Sequence, residues 1–172
     1  MVALSMKICL LGDYAVGKTS LVRRFVYNLF EDKYLSTIGV KVSRKPVAVP
    51  RGDDVAELTL MLWDLAGSEE FDQLRASYLR GAAGALIVCD LTQRNSLASA
   101  REYAAQMRAV NPKAAVLIAA NKQDLFDQHV LKQEEIASTA AELQAGCCLT
   151  SAKTGLGVEE AFRTLGRLAT GT

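Results

Sequence analysis

Residues 12–19 combine glycine, lysine and a hydroxyl group in a spacing that can hold phosphate. The segment reads Gly-Asp-Tyr-Ala-Val-Gly-Lys-Thr, which fits the pattern G-x-x-x-x-G-K-[ST], and it directly follows the apolar run 6–11. A strand that ends in a glycine-rich turn and opens a helix directs several backbone N–H groups at one point, where an anion binds. Lys18 can then reach the β- and γ-phosphates, and the Thr19 hydroxyl can bind Mg²⁺. The segment therefore predicts a site for a nucleoside triphosphate.

A carboxylate and a glycine follow a later strand. Asp64 and Gly67 belong to the segment Trp-Asp-Leu-Ala-Gly, at the end of the alternating run 55–63. Beside a phosphate loop, the Asp64 carboxylate can hold Mg²⁺ through its water shell. Gly67 has no Cβ, so its backbone N–H can approach a γ-phosphate closely. Without the phosphate loop, the same residues would predict only a turn.

The segment Asn-Lys-Gln-Asp at 121–124 is suited to guanine, and it follows the apolar run 114–120. The Asp124 carboxylate can accept hydrogen bonds from N1–H and the exocyclic amine of guanine, whereas adenine presents an acceptor at N1. Buried hydrogen bonds of this type discriminate by roughly 10⁴-fold or more. Lys122 can lie along the base and ribose, and Asn121 can tie this segment to the phosphate loop. The pattern predicts a guanine nucleotide.

Two weaker segments complete the candidate contacts. The tripeptide Ser-Ala-Lys at 151–153 follows the last predicted strand, where a backbone N–H can donate to guanine O6. The segment 34–39 contains Thr37, whose hydroxyl can bind Mg²⁺ and whose N–H can bind the γ-phosphate only when that phosphate is present. Phe30 is placed to stack edge-on against the base.

The hydrophobic pattern predicts an α/β fold with a mostly parallel sheet. Runs 83–89 and 114–120 are continuously apolar, as central parallel strands require. Segments 39–49 and 55–63 alternate around a turn at 50–54, which predicts an antiparallel hairpin. In such sheets the ligand binds at the carboxyl ends of the strands, where every motif above falls. The other predicted elements are strands at 6–11 and 147–150, a helix from the phosphate loop to about 28, and helices at 96–110, 132–144 and 158–168.

The composition excludes several classes of protein. The chain has 172 residues, 50% of them hydrophobic, and a net charge of +1, so it predicts one domain with no nucleic acid or anionic membrane as main partner. No apolar run approaches 18 residues and no signal-peptide pattern is present, so we expect a cytoplasmic protein. The cysteines lie in apolar segments and are predicted to be buried free thiols: Cys9, Cys89, Cys147 and Cys148.

Taken together, the order and spacing of the motifs at 12–19, 34–39, 63–67, 121–124 and 151–153 resemble the Ras superfamily of small GTPases. The Leu-Arg-Gly-Ala stretch at 79–82 is most similar to the Rab-like branch. The resemblance extends from residue 6 to residue 168 and implies a single G domain over 1–172. The implied P-loop NTPase fold is a three-layer α/β/α arrangement, with a six-stranded sheet that has one antiparallel edge strand, and with five helices. The implied function is a Mg²⁺-dependent switch between GTP and GDP.

The resemblance also implies roles for particular residues. Mg²⁺ is expected on Thr19, Thr37 and Asp64. The nucleotide is expected to contact Asp13, Ala15, Val16, Gly17, Lys18, Thr19, Ser20, Phe30, Tyr34, Thr37, Gly67, Asn121, Lys122, Asp124, Ser151, Ala152 and Lys153. Catalysis is expected to involve Lys18, Thr37, Gly67, Ser68 and Tyr14. An effector, an exchange factor or an activating protein is expected to bind the switch segments 30–40 and 64–78 of a monomer.

Ser68 stands where the family has the glutamine that orients the attacking water. A serine hydroxyl is too short to reach both the water and the γ-phosphate, and positioning supplies most of the catalysis in this reaction class. We therefore expect slow intrinsic hydrolysis, unless Glu69, Glu70 or Gln73 takes the place of the glutamine. The same substitution supports a rival function, a GTP-locked binding module with negligible hydrolysis.

Tyr14 is a second departure, because the family usually has a small residue at this position. Its ring could fill the space that Ser68 leaves open and obstruct an activating protein's arginine finger, a device worth roughly 10³–10⁵-fold in rate. Its hydroxyl could instead donate to the γ-phosphate in place of such a finger. In a third alternative, the ring points to solvent.

The C-terminal Gly-Thr is a third departure, since the family's lipid anchor requires a cysteine there. We expect no lipid anchor, which favours a prokaryotic or otherwise soluble relative.

Among other side chains, Trp63 is equally suited to partner contact and to core packing. Arg75 and Arg80 are expected to be solvated or paired with carboxylates rather than to act on the γ-phosphate. An ATP-using enzyme is disfavoured by Asp124.

Overall fold

Strands and helices alternate through the computed structural model, which describes residues 4–31, 39–67 and 72–171. The strands are β1 (Leu4–Leu11), β2 (Val40–Arg51), β3 (Asp54–Leu65), β4 (Ala82–Asp90), β5 (Ala115–Asn121) and β6 (Gly146–Leu149). The helices are α1 (Lys18–Tyr27), α2 (Asp72–Leu79), α3 (Arg94–Val110), α4 (Gln133–Glu142) and α5 (Val158–Thr170), with a 3₁₀ turn at Phe126–Gln128. The predicted site residues Tyr34, Thr37 and Ser68 lie outside the described residues.

The strands form one sheet in the order β2-β3-β1-β4-β5-β6. β2 pairs with β3 antiparallel, and every other neighbouring pair is parallel. The predicted mixed sheet with an antiparallel edge strand is therefore confirmed. Because β1 lies between β3 and β4, the carboxyl ends of these three strands and of β5 meet at one edge, where a ligand site is expected.

The turn between β2 and β3 is tighter than the sequence predicted. The ladder continues to the pair Arg51–Asp54, so the turn has two residues rather than the segment 50–54. Gly52 opens this turn with a φ of 62°, a conformation that two-residue hairpin loops require. Pro50 remains in the ladder because β2 is an edge strand, where a missing N–H is tolerated.

Helices cover both faces of the sheet, which confirms the three-layer α/β/α arrangement. α1 and α5 pack on one face, where the rings of Phe25 and Phe162 stack with their centroids 4.3 Å apart. α2, α3 and α4 pack on the other face around Leu79, Met107 and Ile136. β4 is buried between the two layers over residues 84–90, as its continuous apolar run predicted. None of the described helices has both the length and the apolarity needed to cross a bilayer.

The prediction that all the cysteines are buried is wrong for β6. Cys9 and Cys89 are buried free thiols, whereas Cys147 is exposed and Cys148 is half-buried. The latter pair lies on a strand of 4 residues at the edge of the sheet. An edge strand has a neighbour on one side only, so an apolar sequence there does not ensure burial.

Trp63 is half-buried and packs mainly against its own domain. The Lys7 ammonium lies 3.8 Å from the centroid of its ring, and the Tyr78 ring of α2 lies 6.3 Å away between centroids. Trp63 was equally suited to partner contact and to core packing, and its contacts with Lys7 and Tyr78 agree with packing inside the protein.

Replacing Phe162 with alanine should lower the free energy of unfolding by about 3–5 kcal/mol, because a buried aromatic ring and its stacked contact are both lost. Phe162 is 1% exposed, whereas Phe126 is 67% exposed and provides a matched control. The Phe126→Ala variant should lose less than about 0.5 kcal/mol. Urea unfolding at one fixed nucleotide concentration measures both changes, since a bound ligand adds to stability. Equal losses in the two variants would contradict this assignment of the core.

Candidate nucleotide-binding site

The phosphate loop connects β1 to α1 and curves around the amino group of Lys18. Lys18 Nζ donates to the carbonyl oxygens of Gly12 at 2.9 Å and of Asp13 at 3.1 Å. Ala15 and Gly17 have φ angles of 65° and 104°, which turn the backbone into the first residue of α1. The start of α1 has neither a side-chain cap nor an acidic residue in its first turn. Its leading N–H groups are thus suited to a bound anion.

Lys18 carries a charge that its surroundings only partly stabilise. The residue is 7% exposed, and burial lowers the pKa of its ammonium group to about 8. The carboxylates of Asp64 and Asp13 oppose this shift in pKa, while the Arg75 guanidinium adds to it. An anion bound beside Lys18 would favour the charged form. A polyphosphate therefore fits the electrostatics of the loop.

A hydroxyl and a carboxylate meet next to Lys18. Asp64 is 1% exposed, and its Oδ2 accepts a hydrogen bond of 2.5 Å from Thr19 Oγ1. The two side chains come together because β1 and β3 are paired, with Leu10 opposite Asp64. Hydroxyl and carboxylate oxygens are the ligand types that Mg²⁺ prefers, completed by waters and substrate phosphates.

Gly67 lies directly against the phosphate loop. A Cβ at this position would lie 2.7 Å from the carbonyl oxygen of Gly12 and 2.8 Å from the backbone nitrogen of Tyr14. A side chain there would force the loop to move, so only glycine permits this approach. Tyr14 itself is 61% exposed, which leaves its ring accessible to an incoming molecule.

Asn121 connects the guanine segment to the phosphate loop. Its side chain is 2% exposed, and its Nδ2 donates to the carbonyl oxygen of Val16 at 3.0 Å. Its Oδ1 accepts from the Thr150 hydroxyl at 3.1 Å. A Cβ on Gly17 would lie 2.3 Å from the same Nδ2, so the loop passes Asn121 without room for a side chain. One amide thereby sets the distance between the phosphate and base sides of the site.

Lys122 and Asp124 of this segment also bond to neighbouring parts of the chain. Lys122 Nζ lies 2.8 Å from Asp90 Oδ2 and donates to the carbonyl oxygen of Ala15 at 3.0 Å. Asp124 is half-buried, and its Oδ1 accepts a hydrogen bond of 2.6 Å from the Ser151 hydroxyl. The segments 121–124 and 151–153 are therefore neighbours in space. Their arrangement positions a carboxylate beside a loop that can read the edge of a base.

Comparison with known proteins agrees with this geometry. The model of the Ras family matches residues 7–170. The chain belongs to the Ras family. It is 36% identical over 163 residues to Ras-related protein Rab-31 of Homo sapiens, covering 94% of this chain and 82% of that protein. It is also 35% identical over 158 residues to GTP-binding protein ypt4 of Schizosaccharomyces pombe, covering 91% of this chain and 68% of that protein.

A third relative, Ras-related protein RABD1 of Arabidopsis thaliana, is 35% identical over 160 residues, which cover 92% of this chain and 76% of that protein. These similarities assign the chain to the Rab-like small GTPases. It is thus a GTP-binding switch protein of the Ras family. GTP, GDP and Mg²⁺ are the ligands that this family binds.

Arg24 supports the base side of this Ras-family site from α1, and no sequence pattern pointed to it. Its Nε donates to the carbonyl oxygen of Ala152 at 2.7 Å, and its Nη2 donates to that of Lys153 at 2.5 Å. These partners are 128 and 129 positions away along the chain. Arg24 thereby fixes the backbone of the Ser-Ala-Lys loop.

Asp90 is a second residue that the sequence analysis missed. It is 2% exposed at the end of β4 and lies against Lys122. Its Oδ1 accepts from the backbone N–H of Thr92 at 2.8 Å and from the Thr92 hydroxyl at 2.7 Å. Its position after an apolar strand was a usable signal, since Asp64 and Asn121 follow strands in the same way.

The remaining residues predicted to contact the nucleotide differ in exposure. Phe30 is half-buried and packs against the edge of the core. Ala152 is 4% exposed, whereas Lys153 is exposed. Ser20 is half-buried in the first turn of α1.

Arg75 is not solvated, contrary to one of the two alternatives expected for it. It is 3% exposed, and its Nη1 donates to Gln106 Oε1 at 3.2 Å. Its guanidinium carbon lies 4.9 Å from the centroid of the Tyr103 ring. The exposed face of α2 is instead formed by residues such as Leu74, while Arg75 points into α3. Arg80, at the end of this helix, is exposed as predicted.

The Arg24→Gln variant should release GDP about three- to tenfold faster, because two carbonyl contacts that fix the Ser-Ala-Lys loop are lost. The rate of single-turnover hydrolysis should not change, since Arg24 does not approach the phosphate side. The matched control is Arg23→Gln on the same helix, which removes an exposed ion pair of 3.3 Å with Glu31 and should have little effect. Stopped-flow release of a fluorescent GDP measures both variants. If Arg23→Gln accelerates release as much as Arg24→Gln does, the loop contacts are not the cause.

Proposed function

We propose that this Rab-like GTPase binds GTP and GDP with Mg²⁺ at the described pocket and hydrolyses GTP slowly. The observation that carries the proposal is the Thr19–Asp64 pair at 2.5 Å beside the buried ammonium of Lys18. It places a metal-binding hydroxyl and carboxylate at the start of the helix that receives the phosphates.

The phosphate side would work through charge and backbone geometry. Lys18 would neutralise the β- and γ-phosphate oxygens, and Thr19 and Asp64 would hold Mg²⁺, directly or through water. Bound Mg²⁺ would supply charge stabilisation to the transferred phosphoryl group. Thr37 would complete the metal site, and Gly67 would present its N–H to the γ-phosphate. Loss of the γ-phosphate would then release both switch segments.

The base side would select guanine through Asp124. Its carboxylate accepts one hydrogen bond from Ser151 and retains capacity for two further donors, as guanine N1–H and the exocyclic amine require. The backbone of Ala152 and Lys153, held by Arg24, would donate to O6. Lys122 would lie along the base and ribose, with Phe30 at the edge.

Slow hydrolysis follows from the residue after Gly67. Ser68 directly follows Gly67 in the sequence, and Gly67 lies against the phosphate loop. A serine lacks the length and the amide group needed to orient a water on that phosphate. Tyr14, exposed on the same loop, would meet an arginine finger from an activating protein before it reached the phosphate.

The rival function is a GTP-locked binding module, in which hydrolysis is negligible and recognition is the whole role. In both functions an effector, exchange factor or activating protein would bind the segments 30–40 and 64–78 of a monomeric protein. Leu74 on α2 is 55% exposed and Val42 on β2 is 44% exposed, which supplies apolar contact area at and beside these segments.

Competition between nucleotides tests the base side. We expect GDP to bind roughly 10-fold or more tightly than IDP, which lacks the exocyclic amine, and about 10⁴-fold more tightly than ADP. In the Asp124→Ala variant the preference for GDP over IDP should disappear, because the protein then lacks the carboxylate that accepts from the exocyclic amine of guanine. Displacement of fluorescent GDP measures these ratios. A preference for ADP would contradict guanine recognition and support an adenine-nucleotide enzyme.

Single-turnover hydrolysis of GTP with Mg²⁺ tests the phosphate side in the parent, Ser68→Gln and Tyr14→Gly. We expect the parent to be slow and Ser68→Gln to be about 10-fold faster or more, because a water-orienting amide is restored. Tyr14→Gly should respond to an added arginine-finger activator where the parent does not. A parent that hydrolyses briskly, with no gain from Ser68→Gln, would mean that another residue positions the water. A parent without measurable turnover would favour the GTP-locked module.

A further inference from the structure

Asp13 ties the phosphate loop to α3 through both oxygens of its carboxylate. Its Oδ2 accepts from the Ser99 hydroxyl at 2.7 Å, and its Oδ1 accepts from the Tyr103 hydroxyl at 2.9 Å. The backbone of Asp13 also accepts from Lys18 Nζ. The second residue of the loop is therefore held by α3 on one side and by the phosphate-binding lysine on the other.

Arg75 approaches the same tyrosine from α2. The guanidinium lies over the ring of Tyr103, and its neighbour on α3, Gln106, accepts its hydrogen bond. At 3% exposure the Arg75 charge has lost most of its water, so these contacts with α3 contribute to holding it. Moving α2 away from α3 would therefore expose Arg75 to solvent and remove its guanidinium from the Tyr103 ring.

Tyr103 thus has two attachments at once. Tyr103 is 7% exposed. Its ring lies under the guanidinium of Arg75, which belongs to the switch segment 64–78, and its hydroxyl donates to the carboxylate of Asp13 in the phosphate loop. Packed side chains transmit a displacement because the interior has little free volume. A shift of Arg75 must therefore be accommodated by the tyrosine that bonds to the loop.

We propose that Tyr103 is a positioning residue that couples α2 to the phosphate loop, so that displacement of Arg75 loosens Asp13 and speeds nucleotide release. The proposal rests on nucleotide binding at the phosphate loop, as proposed above. It does not depend on the rate of hydrolysis. Ser99 holds the other carboxylate oxygen but does not take part in the coupling, since its described bonds are to Asp13 and to its own helix at Asn95.

The test is a double-mutant cycle on the dissociation rate of fluorescent GDP. Tyr103→Phe removes only the hydroxyl and keeps the ring under Arg75, while Arg75→Gln removes the charge over the ring. Each should speed release about three- to tenfold, as the ordinary net loss of one hydrogen bond predicts. The double variant should be no faster than the faster single variant, because Arg75 acts through the hydroxyl that is already missing.

Ser99→Ala is the matched control, since it removes the other bond to the same carboxylate. In this background Arg75→Gln should retain its full effect, and the two rate increases should multiply. If these residues only stabilise the local structure, the rate increase of Arg75→Gln should multiply with that of Tyr103→Phe as it does with that of Ser99→Ala. That result would overturn the proposal. So would a Tyr103→Phe rate within about twofold of the parent.

Two measurements keep the result interpretable. Urea unfolding identifies a variant that has lost its fold, and Arg75→Lys, which keeps the charge but not the planar group, replaces Arg75→Gln in that event. A parent protein that does not retain GDP would overturn the proposed nucleotide site and this coupling together. A parent that retains GDP but shows no coupling would overturn the coupling alone.

Discussion

The side-chain amide of Asn121 is the contact on which the geometry of the whole site depends. It is buried where β5 ends, and it bonds at one atom to the phosphate loop and at another to Thr150, the residue before the Ser-Ala-Lys loop. The loops come from distant parts of the chain, and each alone would sample many conformations. A single buried amide that bonds to both sides fixes the spacing between them. The absence of a Cβ on Gly17 is what lets the phosphate loop come this close.

The sheet makes this contact possible. With β1 between β3 and β4, and β5 beside β4, the residues that end these strands lie in a row. That row contains the phosphate loop, Asp64, Asp90 and Asn121, so the charged and amide groups of the site are neighbours by register rather than by sequence. Helices on both faces bury the strands, so the backbone groups of the central strands must bond within the sheet.

The site is also supported by residues that would not touch a nucleotide. Arg24 holds the base loop from α1, Asp90 holds Lys122, and Ser99 and Tyr103 hold Asp13 from α3. Buried or half-buried polar contacts of this kind fix the position of each contacting group before the ligand arrives, which reduces the ordering that binding must supply. The roles proposed for Ser68 and Tyr14 concern the γ-phosphate, and the supporting contacts named here involve other residues.

The sequence by itself determined the α/β fold and the family, and it predicted the segments that would contact the ligand. The phosphate loop, the continuously apolar strands and the guanine segment are local patterns, and the physical forces behind glycine turns and strand burial act over a few residues. Only the tertiary structure decided that Arg24 bonds a loop 128 positions away, that Arg75 is buried on Tyr103, and that Cys147 is exposed. The two-residue turn after Arg51 was also decided by pairing across the hairpin. Each of these depends on which distant segment lies alongside, and burial and hydrogen bonding between distant segments are not encoded in the local pattern.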